Sequence, residues 1–273
     1  MTAKICPISH VSMQPLFRHE VLSKYEVDYF LCPHCGLIQT EEPYWLTEAY
    51  ESAISALDTG ILHRNIRIRR YLEPLIELLG LGRGRFADVG GGYGTLTRLM
   101  RDIGYDFSTH DPYCENIFAK NFEVQPQATY DALLAFEVIE HLSDPVGFIR
   151  ESFSKHSTKT IFLSTNTYQA IPEKNWWYYS FESGQHVSFY QKKTLSVLAE
   201  KNGCRLYSLN DSIHVITDKK IGPIRLLLMR SRLFFWAYAL ITRTRRLKKT
   251  KMFEDQNYTK MATPPASKIL DDA

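Results

Sequence analysis

The segment Arg85-Phe-Ala-Asp-Val-Gly-Gly-Gly-Tyr-Gly-Thr95 decides the fold class of this 273-residue chain. A short apolar run of strand type leads directly into a glycine-rich stretch, and residues 95–103 continue with helical spacing of apolar side chains. A glycine-rich turn between a strand and a helix lets the backbone approach a ligand closely and points free amides towards it. We therefore predict a strand, a ligand-binding turn and a helix here, with a purely structural tight turn as the alternative.

The segments on both sides of this turn alternate between strand-like and helix-like patterns. A helix is predicted before the turn, and after it a strand that ends at Asp111, a helix, a strand, a helix, a strand, a further helix and a final strand pair. This alternation predicts an α/β domain with a mostly parallel sheet covered by helices. The predicted helices cover residues 61–79, 95–103, 115–120, 145–156 and 191–202, and the predicted strands cover residues 85–89, 107–110, 131–136, 160–164, 205–209 and 214–217.

Composition limits the function classes. The chain has 33 basic and 30 acidic residues, a net charge of +3 that is far from the strongly basic character of a nucleic-acid binder. Its five cysteines are odd in number and clustered near the start, which argues against a disulfide framework and for a reducing compartment. The first ten residues, MTAKICPISH, contain no apolar signal-peptide core. We expect a cytoplasmic protein.

Two motifs carry a family resemblance. Asp88-Val-Gly90-Gly-Gly92-Tyr-Gly94, with Asp111 about 20 residues further on, resembles motif I of the class I S-adenosylmethionine-dependent methyltransferases. Residues 130–145 resemble the fourth-strand motif of that family, and the terminal strand pair is similar to its reversed seventh strand. The resemblance covers roughly residues 45–220. It implies a Rossmann-like seven-stranded sheet, mostly parallel with the last strand reversed.

The resemblance also implies a set of cofactor-binding residues. The glycines would pass the methionine part of S-adenosylmethionine, while one aspartate faces its amino group and a second holds the ribose hydroxyls. The adenine position lacks the usual acidic-plus-apolar signature, so Phe122 and Glu123 are only candidates there. Arg64 and Asn65 are candidates for the cofactor carboxylate, against the alternative of a solvated helix face. The implied cofactor-binding residues are Asp88, Gly90, Gly92, Gly94, Asp111 and Glu137.

Two carboxylates and an imidazole follow the predicted strand at 131–136. Glu137, Glu140 and His141 have spacing i, i+3, i+4, so a helical turn would place them on one side. Such a mixed site suits Mg²⁺ or Mn²⁺. The pattern resembles metal-assisted O-methyltransferases of the ubiquinone pathway and small-RNA 2′-O-methyltransferases, and His186 offers the further downstream histidine. Three roles stay open: a metal held by Glu137, Glu140, His141 and His186, a metal-free general base at His141 or His186, and a structural role.

The first 45 residues contain a Cys-x2-Cys knuckle at Cys32 and Cys35. A tetrahedral zinc needs two more ligands, of which Cys6 supplies one. Ser9 stands where a paired knuckle would have cysteine, so His10 is the natural substitute, with His19 or His34 behind it. The stretch is similar to zinc-knuckle modules that precede the methyltransferase domain in some sugar-modifying bacterial enzymes. We predict a structural zinc held by Cys6, His10, Cys32 and Cys35, with a remnant knuckle that has lost its metal as the alternative.

Two further segments bear on partners. The aromatic stretch Trp176-Trp-Tyr-Tyr179 either walls an acceptor site or packs a large loop onto the sheet. Residues 221–241 are too interrupted by arginine to span a bilayer, and a basic run follows them. This tail would lie on an anionic membrane surface as an amphipathic helix, or dock on the domain or a second subunit. We expect the final ~20 residues to be mobile. The basic residues of the run are Arg243, Arg245, Arg246, Lys248, Lys249 and Lys251.

These observations combine into one interpretation. We predict a zinc-knuckle module over residues 1–45, a methyltransferase domain over residues 46–220, and a basic amphipathic helix with a mobile tail over residues 221–273. The reaction would be methyl transfer from S-adenosylmethionine to an oxygen of a small-molecule, saccharide or lipid-linked acceptor, in the cytoplasm or at the inner face of the membrane. The alternatives are an RNA methyltransferase and a non-catalytic scaffold that keeps the cofactor fold. Acceptor pockets in this fold are built from variable loops, so the acceptor is not defined by the sequence.

Overall fold

The computed structural model describes residues 4–51, 59–244 and 248–262, which form ten strands and eight α-helices. Two short 3-10 turns, Ile139–His141 and Trp177–Tyr179, lie between them. The bounds are β1 Gln14–Val21, β2 Tyr25–Leu31, β3 Ile38–Thr40, α1 Leu46–Ala49, α2 Ile61–Leu78, β4 Arg85–Val89, α3 Thr95–Asp102, β5 Asp106–His110, β6 Ala132–Phe136, α4 Pro145–His156, β7 Thr160–Ser164, β8 Ser188–Phe189, α5 Lys192–Lys201, β9 Arg205–Ser208, β10 Ile213–Thr217, α6 Pro223–Arg230, α7 Arg232–Thr244 and α8 Met252–Ala262.

The larger sheet has strand order β5-β4-β6-β7-β10-β9. The first four strands pair in parallel, and β10 is antiparallel to both of its neighbours. The predicted α/β fold with a mostly parallel sheet is therefore confirmed. Within the described residues this sheet has six strands rather than the expected seven, although an isolated parallel bridge joins Thr109 to Glu123 beyond β5.

Alternating side chains of the central strands bury themselves on opposite faces of this sheet. Ala132 and Leu134 of β6 pack with apolar residues of α2 and α3, whereas Leu133 and Ala135 pack with apolar residues of α4 and α5. This is the period of two that a strand imposes on its side chains. Since helices cover both faces of the sheet, a ligand is expected at the carboxyl ends of its strands.

The helix predicted over residues 115–120 is wrong. The side chain of Asn116 accepts a hydrogen bond from the amide of Ala119 at 2.9 Å and donates one to its carbonyl at 2.6 Å. The amides of Ile117 and Phe118 donate to the carbonyl oxygen of Tyr93. The backbone groups of this segment are therefore used by a side chain and by the glycine-rich turn, instead of by an i to i−4 ladder.

The N-terminal segment shares its packing with the rest of the chain. The smaller sheet has order β1-β2-β3-β8, so its fourth strand comes from residues 188 and 189. The buried cysteines near the start belong to the same apolar cluster as Leu195 and Leu198 of α5. The predicted module boundary at residue 45 does not coincide with a break in packing, because 45 residues are too few to close a core alone.

The C-terminal segment contains a helix that the sequence analysis does not predict. Helix α8 is anchored by Asp255, which accepts hydrogen bonds at 2.6 and 2.7 Å from the buried guanidinium of Arg101. A buried guanidinium needs such a partner, and the partner here comes from this helix. The mobility of the tail stays a prediction, and Arg245, Arg246 and residues 263–273 lie outside the described residues. No helix among the described residues has the length and apolar character to cross a membrane.

Candidate active site

A cleft of about 1150 Å³ opens at the carboxyl ends of β4, β5 and β6. Ligands bind at this edge in open parallel sheets. Pockets for one small molecule have volumes of roughly 300–1,000 Å³, so this cleft has room for a cofactor and an acceptor together.

The glycine-rich turn forms one wall of the cleft. Gly90 adopts a φ of 77°, and a Cβ atom there would lie 2.7 Å from a methyl carbon of Val138. Only glycine satisfies both conditions at this position. Gly92 lines the cleft beside it, whereas Gly94 is the N-cap of α3 and lies behind the lining residues.

Asp111 holds this turn in place. Its carboxylate accepts hydrogen bonds from the amides of Gly92, Tyr113 and Cys114 at 2.9, 2.8 and 3.0 Å. A carboxylate offers about four acceptor positions, so about one remains for a ligand hydroxyl. Asp111 therefore connects the turn after β4 to the segment after β5, and it lies at the cleft surface.

Asp88 lies deeper in the same wall. Its side chain is buried and accepts a hydrogen bond from the hydroxyl of Thr97 at 3.3 Å. Burial raises the pKa of Asp88 to about 7. A cationic ligand group placed next to this carboxylate would restore its charge, because an opposite charge favours the ionised form.

Glu137 lines the cleft directly after β6. It accepts a hydrogen bond at 2.5 Å from the hydroxyl of Ser164, and its other oxygen lies 3.8 Å from Nε of Arg64. Both Glu137 and Arg64 line the cleft. Asn65 also lines it, although its amide nitrogen donates to the carbonyl of Ile61 within the same helix.

His141 and His186 form a pair in another part of the cleft lining, here called the histidine wall. Their ring centroids are 4.8 Å apart and the rings are nearly perpendicular. Nδ1 of His141 lies 3.1 Å from the carbonyl oxygen of Gln185, and Nδ1 of His186 lies 2.7 Å from that of Tyr178. A carbonyl oxygen only accepts hydrogen bonds, so the contact with Tyr178 assigns the proton of a neutral His186 ring to Nδ1 and its lone pair to Nε2. Nδ1 of His141 has both an acceptor, the Gln185 carbonyl, and a hydroxyl that can donate, that of Tyr50.

Burial dominates the electrostatics of His141. Burial, reinforced by His186, lowers the pKa of His141 to about 3. A base is most effective when its pKa is near the working pH, which disfavours His141 as proton acceptor. The hydroxyl of Tyr50 lies 3.0 Å from Nδ1 of His141 and helps to fix the ring.

Glu140 is completely buried behind this wall. It accepts a hydrogen bond at 2.6 Å from the hydroxyl of Tyr178, while its second oxygen has no hydrogen-bond partner within the described part of the chain. Burial, with Glu137 as the next cause, raises the pKa of Glu140 well above its usual range. Tyr178 thus connects the two polar groups, since its hydroxyl donates to Glu140 and its carbonyl accepts from His186.

The predicted metal ligands converge only in part. Glu140, His141 and His186 each offer an atom within 4.8 Å of the others, whereas Glu137 stands outside the group because it binds Ser164 and Arg64. For a cation to bind here, Glu140 would first have to lose the proton that its raised pKa favours.

The N-terminal cysteines also converge. The sulfur atoms of Cys6, Cys32 and Cys35 lie within 4.8 Å of one another. The amides of Ser9 and Cys35 donate to the sulfurs of Cys6 and Cys32 at 3.4 and 3.5 Å, and the hydroxyl of Ser9 lies 3.1 Å from Cys32 Sγ. His10 is exposed and does not belong to this group. His34 is also exposed, and His19 stacks on Phe181.

The remaining predicted residues divide between the cleft and the core. Trp177 and Tyr178 line the cleft, whereas Trp176 packs against Tyr179, so the aromatic stretch is divided between the cleft and the packing of the loop. Its role in an acceptor site stays a prediction. Glu123 lines a second cavity of about 380 Å³ next to Asp111.

The positions of three residues could not be predicted from sequence spacing. Phe122 faces away from both cavities, since its ring packs against the guanidinium of Arg101 at 3.7 Å. Tyr50 and Gln185 contribute to the histidine wall, but they stand far from His141 in sequence and belong to no motif.

Comparisons with solved structures give matches at low identity. TnmH shares 17% identity over 64% of this chain and 61% of its own, with a TM-score of 0.44. NcsB1, an O-methyltransferase from neocarzinostatin biosynthesis, shares 14% over 63% of this chain and 58% of its own, with a TM-score of 0.45. Magnesium protoporphyrin IX methyltransferase from Synechocystis PCC 6803 shares 12% over 64% of this chain and 90% of its own, with a TM-score of 0.37. This chain thus spans less than two thirds of TnmH and of NcsB1.

The family comparison covers the central part of the chain. No curated protein matches this sequence. The family model described as a methyltransferase domain matches residues 63–209, which is more than half of the chain and includes the glycine-rich turn and both histidines. This match confirms the predicted enzyme class, and the chain therefore belongs to the methyltransferase domain family.

Proposed function

We propose that this protein transfers a methyl group from S-adenosylmethionine to a hydroxyl oxygen of a small-molecule or saccharide acceptor. One observation carries the proposal: the glycine-rich turn with its two aspartates and the histidine pair line one and the same cleft. This arrangement separates a place for a methyl donor from a place for a group that takes up a proton.

The turn side of the cleft suits the cofactor. Gly90, Gly91 and Gly92 line the cleft, so their backbone is accessible to a ligand, while the side chain of Val138 fills the space where a Cβ atom of Gly90 would lie. Asp88 would face the cofactor amino group and Asp111 would bind a ribose hydroxyl. When bound, S-adenosylmethionine supplies an electrophilic methyl group on a sulfonium. The residues of this wall hold the cofactor, and they take no part in proton transfer to or from the acceptor.

The histidine side suits an acceptor hydroxyl. We assign proton acceptance to Nε2 of His186, because the carbonyl of Tyr178 keeps the proton of that ring on Nδ1. His141 stays neutral and positions its neighbour, since its lowered pKa disfavours protonation. Alignment of the acceptor with the methyl group is the larger contribution to rate, and removal of the proton adds about 10²–10⁴-fold.

Metal-assisted chemistry is the second candidate. The convergence of Glu140, His141 and His186 within 4.8 Å favours it. These three residues would hold Mg²⁺ or Mn²⁺, which would lower the pKa of an acceptor hydroxyl. The candidates differ in one requirement, since only the metal route needs Glu140 in its ionised form.

We also propose a structural zinc in the N-terminal segment, with a changed fourth ligand. The three sulfurs of Cys6, Cys32 and Cys35 and the amides that donate to them suit a thiolate site. The Ser9 hydroxyl, 3.1 Å from Cys32 Sγ, would offer the fourth ligand in place of His10. Zinc content of the purified protein tests this proposal: Cys35→Ser should lose the metal, whereas Ser9→Cys should retain it more tightly against a chelator. A metal-free wild-type protein would favour the remnant knuckle instead.

Calorimetry with S-adenosylmethionine tests the main proposal. We expect binding of the cofactor and of S-adenosylhomocysteine by the wild-type chain, and weaker binding of both by the Gly90→Val variant. Absence of binding at millimolar cofactor would favour the scaffold alternative. Turnover that survives a chelator but not His186→Ala would support the general base, and turnover abolished by the chelator would support the metal. Methylation of RNA in preference to small hydroxylated acceptors would favour the remaining alternative.

A further inference from the structure

The C-terminal helices α6 and α7 have apolar side chains on both of their faces. The inner face is docked: Met229 is buried, and Leu226 and Phe235 pack on the apolar cluster that contains α2 and α3. The ring of Phe235 lies 5.2 Å from that of Tyr71 in α2. These contacts account for the inner face.

The outer face is apolar as well. Five large apolar side chains on it are between 52% and 75% exposed, with spacing i, i+3 in α6 and i, i+3, i+7 in α7. A helix docked on a soluble domain normally presents polar residues to water on this side. The five residues are Ile224, Leu227, Leu233, Trp236 and Leu240.

Charge is strongly segregated towards the same segment. Residues 219–253 contain eleven lysines and arginines and no aspartate or glutamate. The rest of the chain is left with 22 basic and 30 acidic residues, so the small net charge of +3 conceals two regions of opposite sign. Arg225, Arg230 and Arg232 are exposed on the two helices themselves.

We propose that α6 and α7 bind an anionic lipid surface with their outer face. An in-plane helix buries its apolar side roughly 5–10 Å into the interface, and tryptophan is enriched at that level. Lysines and arginines near an anionic surface add electrostatic attraction to the burial of the apolar side. The five exposed apolar side chains would enter the interface, and the lysines and arginines of residues 219–253 would face the anionic headgroups.

A second copy of this chain is a poorer occupant of the face. In a symmetric dimer each face would meet its own copy, which brings two exclusively basic segments together. Like charges at an interface cost free energy, whereas an anionic surface complements them. The sign of the charge therefore favours lipid.

The outer face of α6 and α7 is connected to the cleft through α2. Helix α2 contacts α7 in its middle, and its first two turns, with Ile61 and Arg64, line the cleft. If the proposed function holds, the acceptor class is an amphiphile whose polar part reaches the cleft from the membrane surface. Vesicle binding itself does not depend on methyl transfer, so the two proposals fail separately.

Co-sedimentation of the full chain with lipid vesicles tests the proposal. We expect binding to phosphatidylglycerol–phosphatidylcholine vesicles, little binding to phosphatidylcholine alone, and weakening by high salt. Leu233→Ser combined with Trp236→Ser should lower the binding constant at least tenfold. Ile171→Ser, which removes an exposed apolar side chain outside the two helices, should leave it unchanged. Circular dichroism of each variant checks that the fold is retained.

Two results would overturn this inference. One is a failure of the folded wild-type protein to sediment with anionic vesicles. The other is a dimer in sedimentation velocity that Trp236→Ser dissociates, since the second copy would then be the occupant. A chain that binds vesicles but not S-adenosylmethionine would contradict the proposed function and leave the lipid surface supported.

Discussion

The two walls of the cleft are built in different ways. The turn wall comes from residues 88–111, in which one strand, one turn and one helix lead to the end of the next strand. The histidine wall combines Tyr50, His141, Tyr178 and His186, which are far apart in sequence. The first wall depends on local backbone geometry, whereas the second exists only after the two sheets have packed together. Variants should therefore separate cofactor binding from catalysis.

The largest separation is expected from His186→Ala. Loss of the proton acceptor should lower kcat by about 10²–10⁴-fold and leave cofactor affinity within about threefold, because the cofactor is bound by the other wall. Steady-state kinetics with calorimetry measures both quantities. His63→Ala, an exposed histidine of α2 outside the cleft, is the matched control. An equal loss of cofactor affinity would show that the walls are not independent.

Gly90→Val should give the opposite pattern. Its first side-chain atom would lie 2.7 Å from Val138, at a φ of 77° that β-branched residues avoid. We expect cofactor affinity to fall by about 10–100-fold, equivalent to about 1.4–2.7 kcal/mol. Gly222→Ala, with nothing within 4 Å of the added carbon, should have no such effect. Unchanged affinity in the Gly90 variant would contradict the assignment of this turn to the cofactor.

Tyr178→Phe tests the stability of the histidine wall. The variant removes the hydroxyl that donates to the buried carboxyl of Glu140, and a buried polar group without its partner costs about 1–3 kcal/mol. Urea unfolding should show a loss of this size. Tyr113→Phe removes an exposed hydroxyl and should change the free energy of unfolding by less than about 0.5 kcal/mol. Equal free energies of unfolding for the two variants would show that the hydrogen bond to Glu140 does not stabilise this wall.

The smallest expected effect is a release of protons from Asp88 when the cofactor binds. Because burial raises the pKa of Asp88 to about 7, its carboxyl is mostly protonated at pH 6 and ionised at pH 9. A bound ammonium group favours the ionised form, so cofactor binding should release up to about one proton at pH 6 and none at pH 9. Cofactor affinity should accordingly rise as pH increases from about 6 to 8. Calorimetry in buffers of different ionisation heat measures the release, and Asp88→Asn should abolish it.

The elements predicted correctly have local signals. The α4 helix begins at Pro145, and Asp144 caps it by accepting a hydrogen bond from the amide of Gly147 at 2.9 Å. Helix α2 follows its apolar spacing from Ile61, and the strand, turn and helix from residue 85 follow the glycine pattern. Each signal lies within a few residues of its element, so the sequence is sufficient for it.

The elements that the sequence analysis mistook or missed have partners elsewhere in the chain. Residues 115–120 are not helical because their amides bind Asn116 and Tyr93. Helix α8, which was not predicted, is anchored because Asp255 binds Arg101, which stands 154 residues earlier. Neither contact can be predicted from a local sequence pattern.

For the site, the sequence alone determined the turn wall: Asp88, the glycines and Asp111 lie at the strand ends because strand, turn and helix follow one another directly. It also indicated His141 and His186 as candidates, and their roles are still proposals. Only the tertiary structure decided that these rings meet, that Tyr178 connects His186 to Glu140, and that Glu137 turns to Arg64 and Ser164. The physical reason is that hydrogen bonds and burial between distant segments form only when the sheets pack, and they leave no periodic trace in the sequence.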